Sequence, residues 1–133
     1  MDHPNAKLAT AAWAAVSAGD VDALSRICTP DVTWCASGRG PLSGDYRGQQ
    51  AVFDYLARVG EAADRFDSRF DRVLVGDDCA AVLLNAVGQR GSKTLDTDYI
   101  LIFRIQDGLI AEVWSVARDQ YAVDAFWSEV PDS

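Results

Sequence analysis

The spacing of hydrophobic and polar positions changes partway along the chain. Before residue 60, apolar residues recur at helical spacing, as in the stripe formed by Leu8, Ala12 and Val16. From residue 66 to residue 117 they form four long runs separated by short polar turns. The last turn contains Asp107-Gly108, a strong hairpin signal because Asp and Gly tolerate the positive φ that such turns require. Helices followed by an antiparallel meander predict an α+β domain.

Turn and capping residues place the ends of the predicted elements. Gly19 ends the first helix, Asp20 caps the second, and Pro30 prevents the second from continuing. The glycine-rich segment 37–48 is predicted to be a loop, and it is not a phosphate loop because it contains no Gly-Lys-Ser/Thr sequence. The predicted helices are 5–18, 21–27, 49–59 and 119–127, and the predicted strands are 31–36, 66–75, 79–89, 93–105 and 109–117.

The third long strand is apolar on both faces. One face carries Tyr99, Leu101, Phe103 and Ile105, and the other carries Ile100 and Ile102. If helices cover only one side of the sheet, the second apolar face is left in water. A second copy of the chain is the simplest cover for that face, so we expect a homodimer formed through the sheet.

Composition and charge restrict the partners. The 133 residues carry a formal net charge of −8 and predict a single domain spanning 1–133. Basic residues are scattered singly, which argues against binding to nucleic acid or to an anionic membrane surface. A neutral or cationic small molecule, or a protein partner, fits this charge better. We find no signal-peptide pattern and no apolar run of membrane-spanning length, so we expect a cytoplasmic location.

Cysteine and histidine content argues against two kinds of site. Cys28, Cys35 and Cys79 cannot all pair within one chain and form no CxxC sequence, so we expect free thiols packed as small hydrophobic side chains. The only histidine, His3, lies near the N-terminus. A catalytic cysteine therefore lacks an evident partner, and a histidine-rich metal site is implausible. We expect neither a cofactor nor a metal.

Several short segments occur in an order typical of one superfamily. Two helices are followed by Pro-Asp-Val-Thr-Trp at 30–34, Gly-Pro-Leu-Ser-Gly-Asp-Tyr-Arg-Gly at 40–48, a third helix, long hairpins, and Asp-Gly-Leu-Ile-Ala-Glu-Val-Trp at 107–114. Over residues 5–127 this order resembles the SnoaL-like branch of the nuclear-transport-factor-2-like superfamily. The resemblance implies a cone, in which a strongly curved antiparallel sheet wraps around a helix and encloses an apolar pocket.

The catalytic residues of the enzymes in that superfamily are absent at the matching positions. The resemblance implies relatives among polyketide cyclases, ketosteroid isomerases, limonene-epoxide hydrolases and scytalone dehydratases, beside members without enzymatic activity. Ser115 stands where cyclases and epoxide hydrolases carry an aspartate. Apolar residues replace the other catalytic groups of the isomerases and epoxide hydrolases, at Ala12, Ala36, Val82, Leu84 and Leu101. The fold alone therefore does not decide the function.

Four polar residues are the candidates for chemistry. Asn85 is the one polar residue in the run 80–87; it is predicted to point into the pocket and to bond either a ligand or the protein. Ser115 lacks a neighbouring base in the sequence, so a binding or structural role is favoured over that of a nucleophile. Tyr46 and Tyr55 are the best available donors for polarising a carbonyl group.

The pocket walls are predicted from apolar and aromatic residues, with ordinary core packing as the alternative for each aromatic side chain. Trp13 and Trp127 are assigned to the core or the rim. Asp98 is predicted to lie on the surface or at the dimer edge, and Asp119 is predicted to cap the last helix. The predicted substrate-binding residues are Trp34, Phe53, Leu83, Tyr99, Leu101 and Trp114.

Two functions fit these residues. The first is a cofactor-independent cyclase, isomerase or dehydratase acting on an apolar oxygenated metabolite, with Tyr46, Tyr55 or Asn85 stabilising a developing enolate. The second is a non-catalytic dimer that binds a hydrophobic ligand or acts as an accessory subunit, and the missing carboxylates motivate it. A cone filled by its own side chains would leave only a structural dimer.

Overall fold

Helices and strands follow the predicted order. The computed structural model describes residues 3–130. The helices are α1 (Pro4–Ala18), α2 (Val21–Ile27), α3 (Gln49–Ala62) and α4 (Gln120–Phe126). The strands are β1 (Cys28–Ala36), β2 (Gly44–Arg47), β3 (Arg65–Val75), β4 (Cys79–Arg90), β5 (Lys93–Gln106) and β6 (Leu109–Ala117). The long strands match their predicted ranges to within one residue at each end.

Local capping explains where the helices begin and end. Gly19 closes α1 in the left-handed region, at φ 67°, and the Asp20 carboxylate accepts a hydrogen bond from the Ala23 backbone N–H at the start of α2. Asp119 caps α4 in the same way through the Ala122 N–H, as predicted. The predicted loop 37–48 contains a strand that the prediction missed, because Asp45 and Tyr46 pair with β1.

The six strands form one sheet in the order β2-β1-β6-β5-β4-β3. The α+β class is confirmed, but the sheet is mixed rather than purely antiparallel, because β1 lies parallel to β6. The helices cover one face, which we term the inner face: α1 packs on β3 and β4, α3 on β1 and β2, and α4 on β5 and β6. None of the described helices is long and apolar enough to cross a membrane.

An aromatic cluster fixes α4 and the residues after it on the sheet. Phe66 of β3 meets Phe126 and Trp127, with ring centroids 6.4 and 5.5 Å apart. Gly88 of β4 lies against the rings of Phe66 and Phe126. The Arg90 guanidinium donates hydrogen bonds to the Phe126 and Ser128 carbonyl oxygens, so the C-terminal end of α4 is held by both packing and charge.

The face of the sheet away from the helices carries an apolar patch. Its central residues are Ile100 and Val116, which lie side by side on β5 and β6. Trp114 and Leu74 are 47% and 55% exposed, an unusual exposure for such large apolar side chains. The prediction that β5 is apolar on both faces is confirmed. The outer patch is defined as Leu74, Ala81, Leu83, Ile100, Ile102, Trp114 and Val116.

Candidate functional site

A cavity of about 670 Å³ lies between the helices and the inner face of the sheet. Side chains from α1 and α3 form one wall, and β4, β5 and β6 form the wall opposite. The loop 37–43 and α4 close one end. The residues that line the cavity include Trp34, Phe53, Tyr55, Leu84, Ala86, Tyr99, Leu101 and Ser115. Most of this surface is apolar, as expected for a site that binds small organic molecules.

Three polar groups meet inside this apolar cavity and are termed the inner polar cluster: Trp34, Tyr55 and Ser115. The Trp34 indole Nε1–H donates to the Ser115 hydroxyl oxygen over 3.3 Å. The Tyr55 hydroxyl is hydrogen-bonded to both of these residues. All three side chains are buried. Since the serine oxygen accepts the indole proton, its own proton is directed either to Tyr55 or to an atom in the cavity.

The tyrosines in the cavity stay protonated. Burial raises the pKa of Tyr55 far above its usual value, and Tyr99 and Tyr46 add to this rise; hydrogen bonds from Ser115 and Trp34 oppose it. Burial also raises the pKa of Tyr99, with a further contribution from the Asp124 carboxylate. Both phenols therefore act as hydrogen-bond donors near neutral pH, and neither can serve as a base there.

Tyr46 supports the cavity from outside. Its ring stacks on that of Tyr55 with centroids 4.3 Å apart. Its hydroxyl donates to the Leu42 carbonyl oxygen over 2.8 Å, and Tyr46 does not line the cavity. Burial raises the pKa of Tyr46, while Arg58 opposes the rise. The prediction that Tyr46 donates to a ligand in the pocket is therefore wrong, because Tyr46 lies outside the cavity and its hydroxyl donates to the Leu42 carbonyl oxygen instead.

Three predicted site residues lie on the outer face of the sheet. Asn85 donates to the Asp96 and Asp98 carboxylates over 3.0 and 3.3 Å, so its predicted orientation into the pocket is wrong. Leu83 and Trp114 belong to the outer patch, and their predicted place in the pocket wall is wrong as well. In each strand the neighbouring residues, such as Leu84 and Ser115, take the inner positions. Asp98 is exposed on the surface, in agreement with one of the two positions predicted for it.

The other predicted site residues come together in the cavity. Ser115, Tyr55 and Trp34 belong to the inner polar cluster, and the other three form the walls of the cavity: Phe53, Tyr99 and Leu101. Trp13 and Trp127 also line the cavity, in agreement with an assignment to the core or rim. Whether any of these residues contacts a ligand stays a prediction.

Three exposed acidic residues line the cavity where it opens to solvent, and they are termed the acidic rim: Asp20, Glu61 and, on the edge strand β3, Asp67. Behind them, Ser68 receives the Trp13 Nε1–H over 3.1 Å and lies 2.9 Å from the Ser17 hydroxyl, which ties α1 to β3. Sequence reasoning missed this rim. Its members come from the α1–α2 turn, the end of α3 and the start of β3, and no local pattern relates them.

Side chains of α4 hold the loop that closes the opposite end. The Gln120 side chain donates to the Ser37 carbonyl oxygen over 3.2 Å, and the Asp124 carboxylate accepts the Arg39 backbone N–H over 3.2 Å. Gly38 has φ 100° and lies so close to both side chains that a Cβ would overlap them. The glycine is therefore required for this closure, as well as for the turn.

The three cysteines are free thiols, as predicted, but their surroundings differ. Cys28 is buried and Cys79 is exposed. Burial raises the pKa of Cys28 to about 11. Burial, followed by a hydrogen bond with Asp45, raises the pKa of Cys35 to about 11 as well. The prediction that the cysteines pack as small hydrophobic side chains is therefore correct for the buried Cys28 and wrong for the exposed Cys79.

Ellman's reagent at pH 8 is expected to react rapidly with one thiol per folded chain. The thiolate is the reactive form, and a thiol of pKa about 11 is roughly 0.1% ionised at that pH. The fast phase should disappear in Cys79→Ser, and each unit of higher pH should speed the slow thiols about tenfold. A fast phase of two or three thiols in the native protein would contradict these assignments.

Comparison with known proteins agrees with this architecture. A model of the SnoaL-like domain matches residues 9–113. The solved structure of Bal32a, from a soil-derived mobile gene cassette, is 28% identical with a TM-score of 0.88, over 93% of this chain and 96% of that chain. A Xanthomonas campestris protein of unknown function with a cystatin-like fold is 34% identical with a TM-score of 0.86, over 92% and 97% of the two chains.

A third solved structure, that of TerC co-crystallised with polyporic acid, shares the fold. It is 19% identical and has a TM-score of 0.81, over 92% of this chain and 97% of that chain. The match to the family model covers most of the chain, and it agrees with the element order and with the cavity beneath the helices. The chain therefore belongs to the SnoaL-like domain family and has the cystatin-like fold of nuclear-transport-factor-2-like proteins.

Proposed function

We propose that this protein binds an apolar small molecule that carries a carbonyl or hydroxyl oxygen, and that it holds this oxygen at the inner polar cluster. The observation that carries the proposal is the position of Tyr55 and Ser115 inside an otherwise apolar cavity. A few fixed donors in an apolar cavity of several hundred Å³ are the usual design of a small-molecule site. TerC, a protein of the same fold, was co-crystallised with a small molecule, which supports ligand binding here.

Binding is better supported than turnover. Cyclisation, isomerisation and dehydration each require a group that removes a proton, and the carboxylates that line the cavity are those of the acidic rim. The high pKa of Tyr55 makes this side chain a donor and not a base. The volume of the cavity also argues against a cone filled by its own side chains, because packed cores contain few voids larger than a water molecule.

A second candidate is a cofactor-independent cyclase, isomerase or dehydratase. The observation in its favour is that Ser115 and Tyr55 form a hydrogen-bonded pair inside the cavity, whose tyrosine O–H can donate to a developing enolate oxygen. Such a reaction would need a base from the ligand itself or from solvent. A test with a ketone separates this activity from binding alone.

The neutral naphthyl ketone prodan is a suitable first probe, since its emission reports both burial and hydrogen bonding of its carbonyl. Tyr55→Phe and Ser115→Ala should each weaken prodan binding about 5- to 10-fold, because each removes one buried hydrogen bond that contributes about 1–1.5 kcal/mol. The emission of bound prodan should also shift to shorter wavelength in both variants. Fluorescence titration measures both quantities.

Tyr121→Phe is the matched control for this experiment. Tyr121 is 90% exposed and lies outside the cavity, so its substitution should leave prodan binding unchanged. The proposal is overturned if the wild-type protein does not bind prodan, or if both cavity variants bind it as tightly as the wild type. Thermal unfolding of each variant separates a lost contact from a lost fold.

The same ketone distinguishes turnover from binding. A protein that enolises its ligand should speed deuterium exchange at the carbon next to the prodan carbonyl in heavy water, and Tyr55→Phe should abolish the increase. Exchange at the rate of the free ketone, with prodan bound, supports binding alone. NMR spectroscopy follows the exchange directly.

We also propose that the outer patch pairs with a second copy of the chain. Its residues are large, apolar and exposed in a single chain, with Leu74 and Trp114 about half exposed. Ion pairs flank it on both sides, Arg118 with Asp98 and Arg104 with Glu112, as in the polar border of many interfaces. A self-complementary face of this kind supports a two-fold homodimer.

A further inference from the structure

The charged groups along the cavity all have the same sign. Among the residues that the structure describes, those that line the cavity include the three carboxylates of the acidic rim, and they include no lysine, arginine or histidine. The ring of lining side chains therefore offers an entering anion no cation to pair with. At the inner end, the polar side chains that line the cavity among the described residues are neutral, and they include Tyr55 and Ser115.

The three residues of the acidic rim differ in their local surroundings. Arg65 lies beside Asp67 and forms an ion pair with it, although both side chains are largely exposed. Asp20 accepts the Ala23 backbone N–H with one oxygen, which leaves its charge in place. Glu61 lies at the end of α3, where the helix dipole adds further negative potential. The formal charge of these four groups together is therefore negative even with Arg65 included.

We propose that the cavity selects ligands by charge, accepting neutral or cationic molecules and rejecting carboxylates, and that Asp20, Glu61 and Asp67 enforce this selection. The inference rests on the proposed binding function of the same cavity. It extends that function by defining the class of ligand: an apolar body whose polar groups are uncharged or positively charged. A carboxylate would lose its hydration on entry, find no counter-ion along the wall and pass three negative side chains.

Three naphthalene probes with the same ring test the selection: methyl naphthyl ketone, naphthoate and naphthylmethylamine. At low salt the naphthoate should bind about tenfold or more weakly than the ketone, and the amine at least as tightly as the ketone. The triple variant Asp20→Asn, Glu61→Gln, Asp67→Asn should strengthen naphthoate binding about 3- to 5-fold and leave the ketone unchanged. Asparagine at position 20 keeps the cap of α2.

The control removes the same number of charges elsewhere. Asp31→Asn, Asp45→Asn, Asp107→Asn changes three exposed carboxylates that do not line the cavity, so the net charge changes equally. It should leave naphthoate binding within about twofold of the wild type, since distant charges are screened. Equal strengthening by both triple variants would overturn the role of the rim.

The outcomes separate this inference from the proposed function. If the ketone binds and the naphthoate binds equally tightly, charge selection is wrong and the binding function stands. If neither the ketone nor the amine binds, the binding function is overturned and the selection falls with it. The third outcome is that the ketone binds, that the naphthoate binds weakly, and that only the rim variant strengthens naphthoate binding. This outcome supports both the binding function and the charge selection. Isothermal titration calorimetry measures all the affinities on one scale.

Discussion

Ile100→Asp should convert the protein from a dimer into a monomer at micromolar concentration. Ile100 lies between Leu83 and Val116 in the middle of the outer patch, and it is partly exposed in the single chain. In a dimer through this face its carboxylate would be buried without a counter-ion, which costs several kcal/mol. We therefore expect the dissociation constant to rise about 100-fold or more. Sedimentation velocity over a range of concentrations measures this change.

Thr94→Asp is the matched control for that experiment. Thr94 lies on the same strand and the same outer face, but it pairs with Gln89 beyond the outer patch. Its substitution should leave the dimer intact. The circular dichroism of both variants should match that of the wild type, because neither side chain is in the core. A wild-type protein that sediments as a monomer at tens of micromolar would show that the outer patch does not pair with itself.

Gly88→Ala and Gly60→Ala should change stability in opposite directions. An added Cβ at Gly88 would lie 2.8 Å from the Phe126 ring and 3.1 Å from the Phe66 ring. The aromatic cluster that holds α4 would have to move, at a cost of about 1–3 kcal/mol in the free energy of unfolding. Gly60 lies in α3 and has no atom within 4 Å of the added Cβ, so alanine there should stabilise by about 0.5–1 kcal/mol.

Urea denaturation with a common slope measures both changes. The slope should stay the same in both variants, because each substitution alters the folded packing or the helix propensity and not the surface exposed on unfolding. A Gly88→Ala protein as stable as the wild type would mean that the rings of Phe66 and Phe126 rearrange without cost. A destabilised Gly60→Ala protein would mean that α3 is not an ordinary helix at that position.

The error at Asn85 has a physical origin that also explains the error at Trp114. Alternation along a strand shows which residues share a face, and Asn85 does share a face with Leu83. It shows which face points inward only when one face is apolar and the other polar. The outer patch makes both faces of β4, β5 and β6 apolar, so hydrophobicity no longer identifies the inner face. Packing of the helices decides it, and the inner positions fall to Leu84 and Ser115.

The candidate site was predictable where the resemblance fixed the register and where local contacts sufficed. Ser115 was placed by the Glu-Val-Trp segment that precedes it, and Tyr55 by the apolar stripe of α3. The hydrogen bond from the Tyr46 hydroxyl to the Leu42 carbonyl oxygen depends on the conformation of the loop, so the sequence alone could not predict it. The parallel pairing of β1 with β6 likewise follows from long-range packing, since the two strands lie about 80 residues apart in the chain.

Local interactions in the sequence determined the elements of this protein. Residues within a few positions of one another set the caps at Asp20 and Asp119, the turn at Asp107-Gly108 and the four long strands. Only the tertiary structure decided which face of the sheet encloses the cavity, which hydroxyl groups face into it, and that Asp20, Glu61 and Asp67 share its mouth. Backbone propensity acts over a few residues, so it defines helices and turns. The site is made by side chains from distant segments, which come together only when the helices bury one of two apolar faces.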